Sequence, residues 1–180
     1  MKIFHRMQNF VVVIGLSLSV GATALASDVV ILAPAKRKAM ADFELGTIKG
    51  EKAKLSDYKN KVVAVAFWAT WCEPCKQELY FLNQFRKKYG DKGFEVLAVA
   101  ADAPETVARV RTTVRRKKWK MPVLLDLEGK VANLINPRGA MPYSIFLDRK
   151  QRRVYSHEGF SSGDEVKYEK LILSLIDETI

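Results

Sequence analysis

Cysteine and histidine are both scarce in this chain, which has two of each among its 180 residues. A structural zinc site usually takes four ligands from cysteine pairs and histidines, so this supply excludes one. The two cysteines, Cys72 and Cys75, are separated by two residues, and Lys76 stands where a C-x-x-C-H haem-attachment motif has histidine. We therefore expect neither a metal nor another cofactor.

Acidic residues are missing from the first 26 positions. Lys2 and Arg6 make this start basic, and residues 10–20 are almost entirely apolar. Ala24-Leu25-Ala26 then has the small-x-small pattern of a signal-peptidase site. The pattern predicts a signal peptide over residues 1–26, cleaved at its end, and hence a periplasmic protein. An uncleaved membrane anchor is the alternative, but the apolar run is shorter than the ~20 residues of a spanning helix.

Basic residues outnumber acidic ones, with 30 Lys and Arg against 20 Asp and Glu and a formal net charge of +10. Nucleic acid is not an expected partner of an exported protein, whereas acidic proteins and anionic lipid headgroups are. Seven of the cations lie in or just after one predicted helix: Arg109, Arg111, Arg115, Arg116, Lys117, Lys118 and Lys120. This basic helix is either a docking surface for an acidic protein or a membrane, or a solvated face.

Strand and helix patterns alternate along the chain after an irregular lead-in over residues 27–38. Continuous apolar runs predict strands that are buried on both faces at residues 62–67 and 94–101. Further strands are predicted at residues 123–125, 143–147 and 153–156, and a β-hairpin at residues 41–54. Helices are predicted at residues 74–89, 104–118, 130–135 and 164–177. The order predicts an α/β three-layer sandwich with a mainly parallel central sheet, to which the late hairpin adds antiparallel strands.

Single residues carry further expectations. Ser56 is placed to cap a helical turn, and Gly90 to end the helix over residues 74–89. Val166 is expected to face the sheet from the last helix. Trp68 is expected in the core, while Trp119 has no role that the sequence explains.

The cysteine pair lies between the strand at residues 62–67 and the helix at residues 74–89. At a helix N-terminus, unpaired N–H groups and the macrodipole stabilise a thiolate, which makes Cys72 the expected nucleophile. Cys75, one turn further, is shielded and can attack the mixed disulfide that Cys72 forms. A disulfide that closes so small a loop stabilises a fold little. The pair therefore indicates thiol–disulfide exchange.

The run F-W-A-T-W-C-E-P-C-K-Q-E, followed by Met141-Pro142 and a strand, resembles the TlpA/ResA/DsbE branch of the thioredoxin superfamily. The resemblance extends over residues 41–176. It implies a thioredoxin-like domain over residues 39–180, with an N-terminal β-hairpin and a helical segment inserted at about residues 104–137. It also implies the activity of a thiol–disulfide oxidoreductase.

The resemblance further implies a cis-proline that faces the cysteine pair. Met121-Pro122 and Met141-Pro142 both fit the pattern, and we favour Pro142 because it directly precedes a predicted strand. Met141 and Pro142 are then expected to bind an extended substrate, with Trp71 forming a wall of the site.

Glu78 matches the acid that this branch places three residues after its second cysteine. One helical turn puts it on the same face as Cys75, where it could accept or deliver a proton. The alternative is a solvated carboxylate paired with Lys76 or Lys87. Glu73, between the cysteines, is expected to raise the pKa of Cys72 and so to favour a reductant.

The leading functional hypothesis is an exported reductase of protein disulfides, with apocytochrome c as the target that the resemblance favours and an upstream membrane electron donor. A general periplasmic oxidant or isomerase is one alternative, and a redox-inert module that binds through the basic helix is another. Peroxide reduction is a third enzymatic hypothesis. Peroxiredoxins, however, place a proline and a hydroxyl residue before their reactive cysteine, and this chain has only Thr70.

Overall fold

The computed structural model describes residues 31–178, within which seven strands form one sheet. The strands are β1 (Glu44–Thr47), β2 (Lys52–Lys54), β3 (Val62–Trp68), β4 (Phe94–Ala100), β5 (Val123–Leu125), β6 (Tyr143–Leu147) and β7 (Arg153–Glu158). Their spatial order is β2-β1-β5-β4-β3-β6-β7. The predicted signal peptide and its cleavage site lie outside the described residues.

Helices cover both faces of the sheet. They are α1 (Glu73–Tyr89), α2 (Val107–Lys117), α3 (Lys130–Ile135) and α4 (Asp164–Asp177). Successive side chains of a strand point to opposite faces, so Ala64 and Ala66 of β3 pack with α1, α2 and α4, whereas Val63 and Val65 pack with α3. The predicted three-layer, thioredoxin-like α/β fold is thus confirmed.

The sheet is mixed rather than mainly parallel. β3 pairs parallel with β4, and β4 pairs parallel with β5. The other pairings are antiparallel, because the β1–β2 hairpin joins the edge of β5 and the β6–β7 hairpin joins β3. Both hairpins were predicted, but their antiparallel pairing with β5 and with β3 makes antiparallel pairings more numerous than parallel ones.

Three single-residue expectations differ from the structure. α1 ends at Tyr89 with Gly90 as its C-cap, as predicted, but Gly90 has a right-handed conformation (φ −58°); the chain adds a 3-10 turn (Gly90–Lys92), and the left-handed residue that stops it is Gly93, with φ 90°. Val166 is exposed, and Tyr168 of α4 takes the core position instead. Ser56 lies inside the 3-10 turn (Leu55–Tyr58) that it was expected to cap; the N-cap residue is Lys54, whose N–H donates to Asp57 Oδ2 at 2.8 Å.

The lead-in is packed against the domain where the structure describes it. Leu32 N–H donates to Val154 O at 2.9 Å, and Ala39 forms an isolated bridge with Arg152. The Arg37 side chain is buried against Asp148 and Glu178. Among residues 31–178, no helix combines the length and the apolar character needed to cross a membrane.

Candidate active site

The cysteine pair occupies the junction of β3 and α1, as predicted. Cys72 is the N-cap residue of α1, and the Cys75 N–H points at Cys72 Sγ from 3.3 Å. The two sulfurs form a disulfide, in which Cys75 has no exposed surface and Cys72 is 5% exposed. Because Cys75 is covered, a partner can reach only Cys72 at the start of exchange. No three potential metal ligands come together anywhere in residues 31–178.

Pro142 lies at the same edge of the sheet as the cysteines. Phe67, near the end of β3, pairs with Tyr143 at the start of the antiparallel β6. The Met141–Pro142 peptide bond is cis, as the resemblance implied. Pro122, the rejected candidate, instead accepts a hydrogen bond from Ala98 N–H at 3.0 Å and so lies within the sheet.

The three tryptophans have different environments. Trp71 is 68% exposed beside the cysteines, where a substrate could contact it. Trp68 is fully buried, as expected, and Trp119 packs edge-on against it with ring centroids 5.1 Å apart. Trp119 is thus part of the core beneath the site, a role that depends on a contact between residues far apart in the chain.

Glu78 is buried beside the core of the active site, with 1% of its surface exposed. Tyr168 OH donates to Glu78 Oε1 at 2.8 Å, while Oε2 has no hydrogen-bond partner among the described residues. Burial raises the pKa of Glu78 to about 7, against the smaller opposing effect of the Ser144 and Tyr168 hydroxyls. The alternative of a solvated carboxylate paired with Lys76 or Lys87 is wrong, because α4 covers this side of α1.

Lys76 pairs with Glu73 instead of Glu78. The ion pair lies at the first turn of α1 and lowers the pKa of Glu73. Lys117 and Arg116 at the end of α2 lower it further, which places the basic helix beside the cysteine pair. Glu73 is therefore partly neutralised by cations, and its expected effect on the pKa of Cys72 stays a prediction.

Sequence reasoning missed Asp102, which follows the end of β4. Its carboxylate accepts the Thr70 N–H at 3.0 Å and the Thr70 hydroxyl at 2.5 Å. The Thr70 hydroxyl, which a peroxidase would need near its cysteine, thus donates its hydrogen bond to Asp102. The sequence could have predicted this contact, because Cys72 and Asp102 each follow the end of a buried strand. Since β3 and β4 are adjacent and parallel, their carboxyl ends lie at the same edge of the sheet.

Comparison with known proteins supports the same chemistry. The profile of the AhpC/TSA family matches residues 37–155. The thiol–disulfide oxidoreductase ResA of Bacillus anthracis is 35% identical over 126 residues, which cover 70% of this chain and 71% of that protein.

Solved structures agree in fold. A thiol:disulfide interchange protein DsbE from Chlorobium tepidum matches with a TM-score of 0.72 and 33% identity, over 78% of this chain and 96% of that one. The exposed lipoprotein thioredoxin Etrx1 of Streptococcus pneumoniae matches with a TM-score of 0.60 and 32% identity, over 73% and 99%. The chain belongs to the thioredoxin-like AhpC/TSA family and is a thiol–disulfide oxidoreductase of the ResA and DsbE type.

Proposed function

We propose that this oxidoreductase is exported and reduces disulfides in other proteins, with apocytochrome c as the favoured target. One observation carries the proposal: a barely exposed nucleophile, Cys72, is backed by a fully buried Cys75 and by Glu78 with a pKa of about 7. This arrangement admits a protein disulfide to one sulfur and keeps the second sulfur for release of the product.

The exchange has two steps. In the reduced protein the Cys72 thiolate attacks a disulfide sulfur of the target, and the sulfur that leaves takes up a proton. Cys75 then attacks Cys72 Sγ, its own proton passing to the Glu78 carboxylate. The bond between Cys72 and the target breaks, and the second target sulfur leaves and takes up that proton from Glu78. The target gains two electrons and two protons, and the Cys72–Cys75 disulfide forms. A pKa of about 7 suits Glu78 to this role, because it lies near that of a thiol, ~8.5.

Trp71, Met141 and Pro142 would bind the target around its disulfide. Trp71 offers an exposed aromatic surface. Neither the N–H nor the C=O of Met141 has a hydrogen-bond partner within residues 31–178, so both groups can pair with an extended segment of the target.

Two partners complete the proposal. An upstream electron donor at the membrane would return the pair to the dithiol, since each turnover leaves it oxidised. The basic helix would dock an acidic protein, because its cations are exposed and its last turn adjoins Glu73. Export follows from the basic start, the apolar run and Ala24-Leu25-Ala26.

Trapping in cells tests the target. Cys75→Ser leaves the nucleophile without the thiol that releases its product, so mixed disulfides with native substrates accumulate and mass spectrometry identifies them. We expect apocytochrome c among the adducts. Cys72→Ser should trap almost nothing, because Cys75 is covered. Equal trapping by the two variants would contradict the roles assigned to the two cysteines.

The redox state in intact cells tests the direction. Acid quenching followed by alkylation should find Cys72 and Cys75 mostly as thiols. A pair that is mostly disulfide in growing cells would contradict the reductase and support the alternative of a general oxidant or isomerase.

A further inference from the structure

Thr70, two residues before Cys72, is held from both sides by charged side chains. Asp102 accepts its N–H and hydroxyl, and the Lys76 ammonium donates to its carbonyl at 3.0 Å. All three residues are buried, with exposed fractions of 8% for Thr70, 4% for Asp102 and 8% for Lys76. We call this set, Asp102–Thr70–Lys76, the Thr70 bridge.

Burial of Lys76 needs an explanation, because lysine ammonium groups are almost always solvated. Its Nζ contacts two groups that flank Cys72 in sequence, the carbonyl of Thr70 and the carboxylate of Glu73. Cys72 caps the helix on which both Glu73 and Lys76 lie. The side chain therefore folds back to the helix start and places its charge between groups on either side of Cys72 in the chain.

We propose that Lys76 is a positioning cation that stabilises the Cys72 thiolate, and that Asp102 holds it in place through Thr70. The inference rests on the proposed role of Cys72 as nucleophile and adds the groups that set its reactivity. In its bridged position the ammonium offsets Glu73, which alone would oppose a thiolate.

Charges from three elements face this site. Glu73 and Lys76 lie on α1, Asp102 follows β4, and the further cations that act on Glu73 are Arg116 and Lys117 on α2. Asp102 and Glu73 together would disfavour a third negative charge, the thiolate of Cys72. Lys76 is the buried cation among them, so removing it should have a larger effect than removing an exposed one.

Alkylation of the reduced protein tests the proposal without a protein target. Lys76→Met keeps the stem of the side chain and removes its charge. We expect the pKa of Cys72 to rise by about one unit, which makes alkylation at neutral pH about tenfold slower. Glu73→Gln should shift the pH profile of Cys72 alkylation the opposite way, towards lower pH. Lys87→Met, which removes an exposed charge from the same helix, serves as the matched control.

The bridge itself is tested at Thr70. Thr70→Val removes the hydroxyl donor. It should shift the pH profile of Cys72 alkylation in the same direction as Lys76→Met and slow alkylation at neutral pH by about threefold. Thr70→Ser restores the hydroxyl and should restore the wild-type profile, which a general loss of stability would not do.

Two outcomes would overturn the inference. One is a pH profile of Lys76→Met that coincides with that of Lys87→Met. The other is a Thr70→Val profile identical to the wild type. Failure of the wild-type protein to reduce protein disulfides would instead contradict the proposed function and leave the alkylation result standing.

Discussion

At the residue scale, Glu78 is a carboxyl group whose surroundings oppose its negative charge. Its carboxyl is enclosed by α1, α4 and β6, with one oxygen bonded to Tyr168 and the other without a hydrogen-bond partner in the described part of the chain. Burial therefore favours the neutral acid and raises the pKa from 4.5 to about 7. The cost of that burial makes both stability and exchange depend on pH.

Glu78→Gln should change both properties. The folded protein retains a proton that the unfolded chain releases between pH 4.5 and about 7, so this group's contribution to stability falls as pH rises through that interval. The difference in unfolding free energy between the variant and the wild type should shift in favour of the variant by on the order of 3 kcal/mol from pH 4 to pH 8. Exchange through Cys75 should slow, because the proton acceptor is lost.

Urea unfolding across this pH range and the pH profile of Cys75 alkylation measure the two effects. Glu105→Gln, which removes an exposed carboxylate, is the matched control. A relative stability that does not change with pH, or an unaltered alkylation profile, would contradict the role assigned to Glu78.

At the element scale, α2 combines a buried apolar side with an exposed basic one. Val110 and Val114 pack into the core, while the cations near its end are exposed. Positive side chains in the last turn also complement the helix dipole. The helix thus presents a fixed cationic surface next to the cysteine pair.

Reversing two of these charges, Arg115→Glu with Arg116→Glu, should slow reduction of an acidic protein target and leave reduction of a small disulfide unchanged. Wild-type rates on the protein target should fall as salt shortens the screening length below ~8 Å. Steady-state kinetics at several ionic strengths measure both effects.

The matched control for this variant is Lys59→Glu with Lys150→Glu, an equal charge change at the edge of the sheet opposite Cys72. Equal rates for the two double variants on the protein target would show that α2 is only a solvated face.

At the scale of the whole molecule, Arg37 joins the start of the described chain to its end. Its Nη1 donates to Asp148 Oδ2 at 3.2 Å and to Glu178 Oε2 at 2.7 Å, and its Nε donates to Leu32 O at 2.9 Å. The side chain is almost completely buried. Residues before β1 are therefore part of what stabilises the domain.

Arg37→Met should lower the free energy of unfolding by about 2 kcal/mol, because Asp148 stays buried with one partner fewer. Arg152, which also pairs with Asp148, limits the loss. Urea denaturation measures it, with the exposed neighbour Lys36→Met as control. Equal unfolding free energies for the two variants would mean that the lead-in adds nothing to stability.

The amino-acid sequence alone determined the order of strands and helices and the exchange chemistry of Cys72 and Cys75, because these depend on apolar periodicity and on spacings of a few residues. The choice of Pro142 depended on the family resemblance and on the strand predicted after it. The sequence also predicted both hairpins, but not that antiparallel pairings outnumber parallel ones, because strand direction at the edges depends on which strand each hairpin joins.

Only the tertiary structure decided the surroundings of the reactive groups. Glu78 is buried by Tyr168, which is 90 residues away in the chain, and Thr70 is held by Asp102, which is 32 residues away. Val166 and Tyr168 lie two positions apart on α4 and so on opposite faces of the helix, and the contact with the core shows that the buried face is the one with Tyr168. Burial and pairing across such distances shift a pKa or hold a cation, and neither leaves a periodic pattern in the sequence.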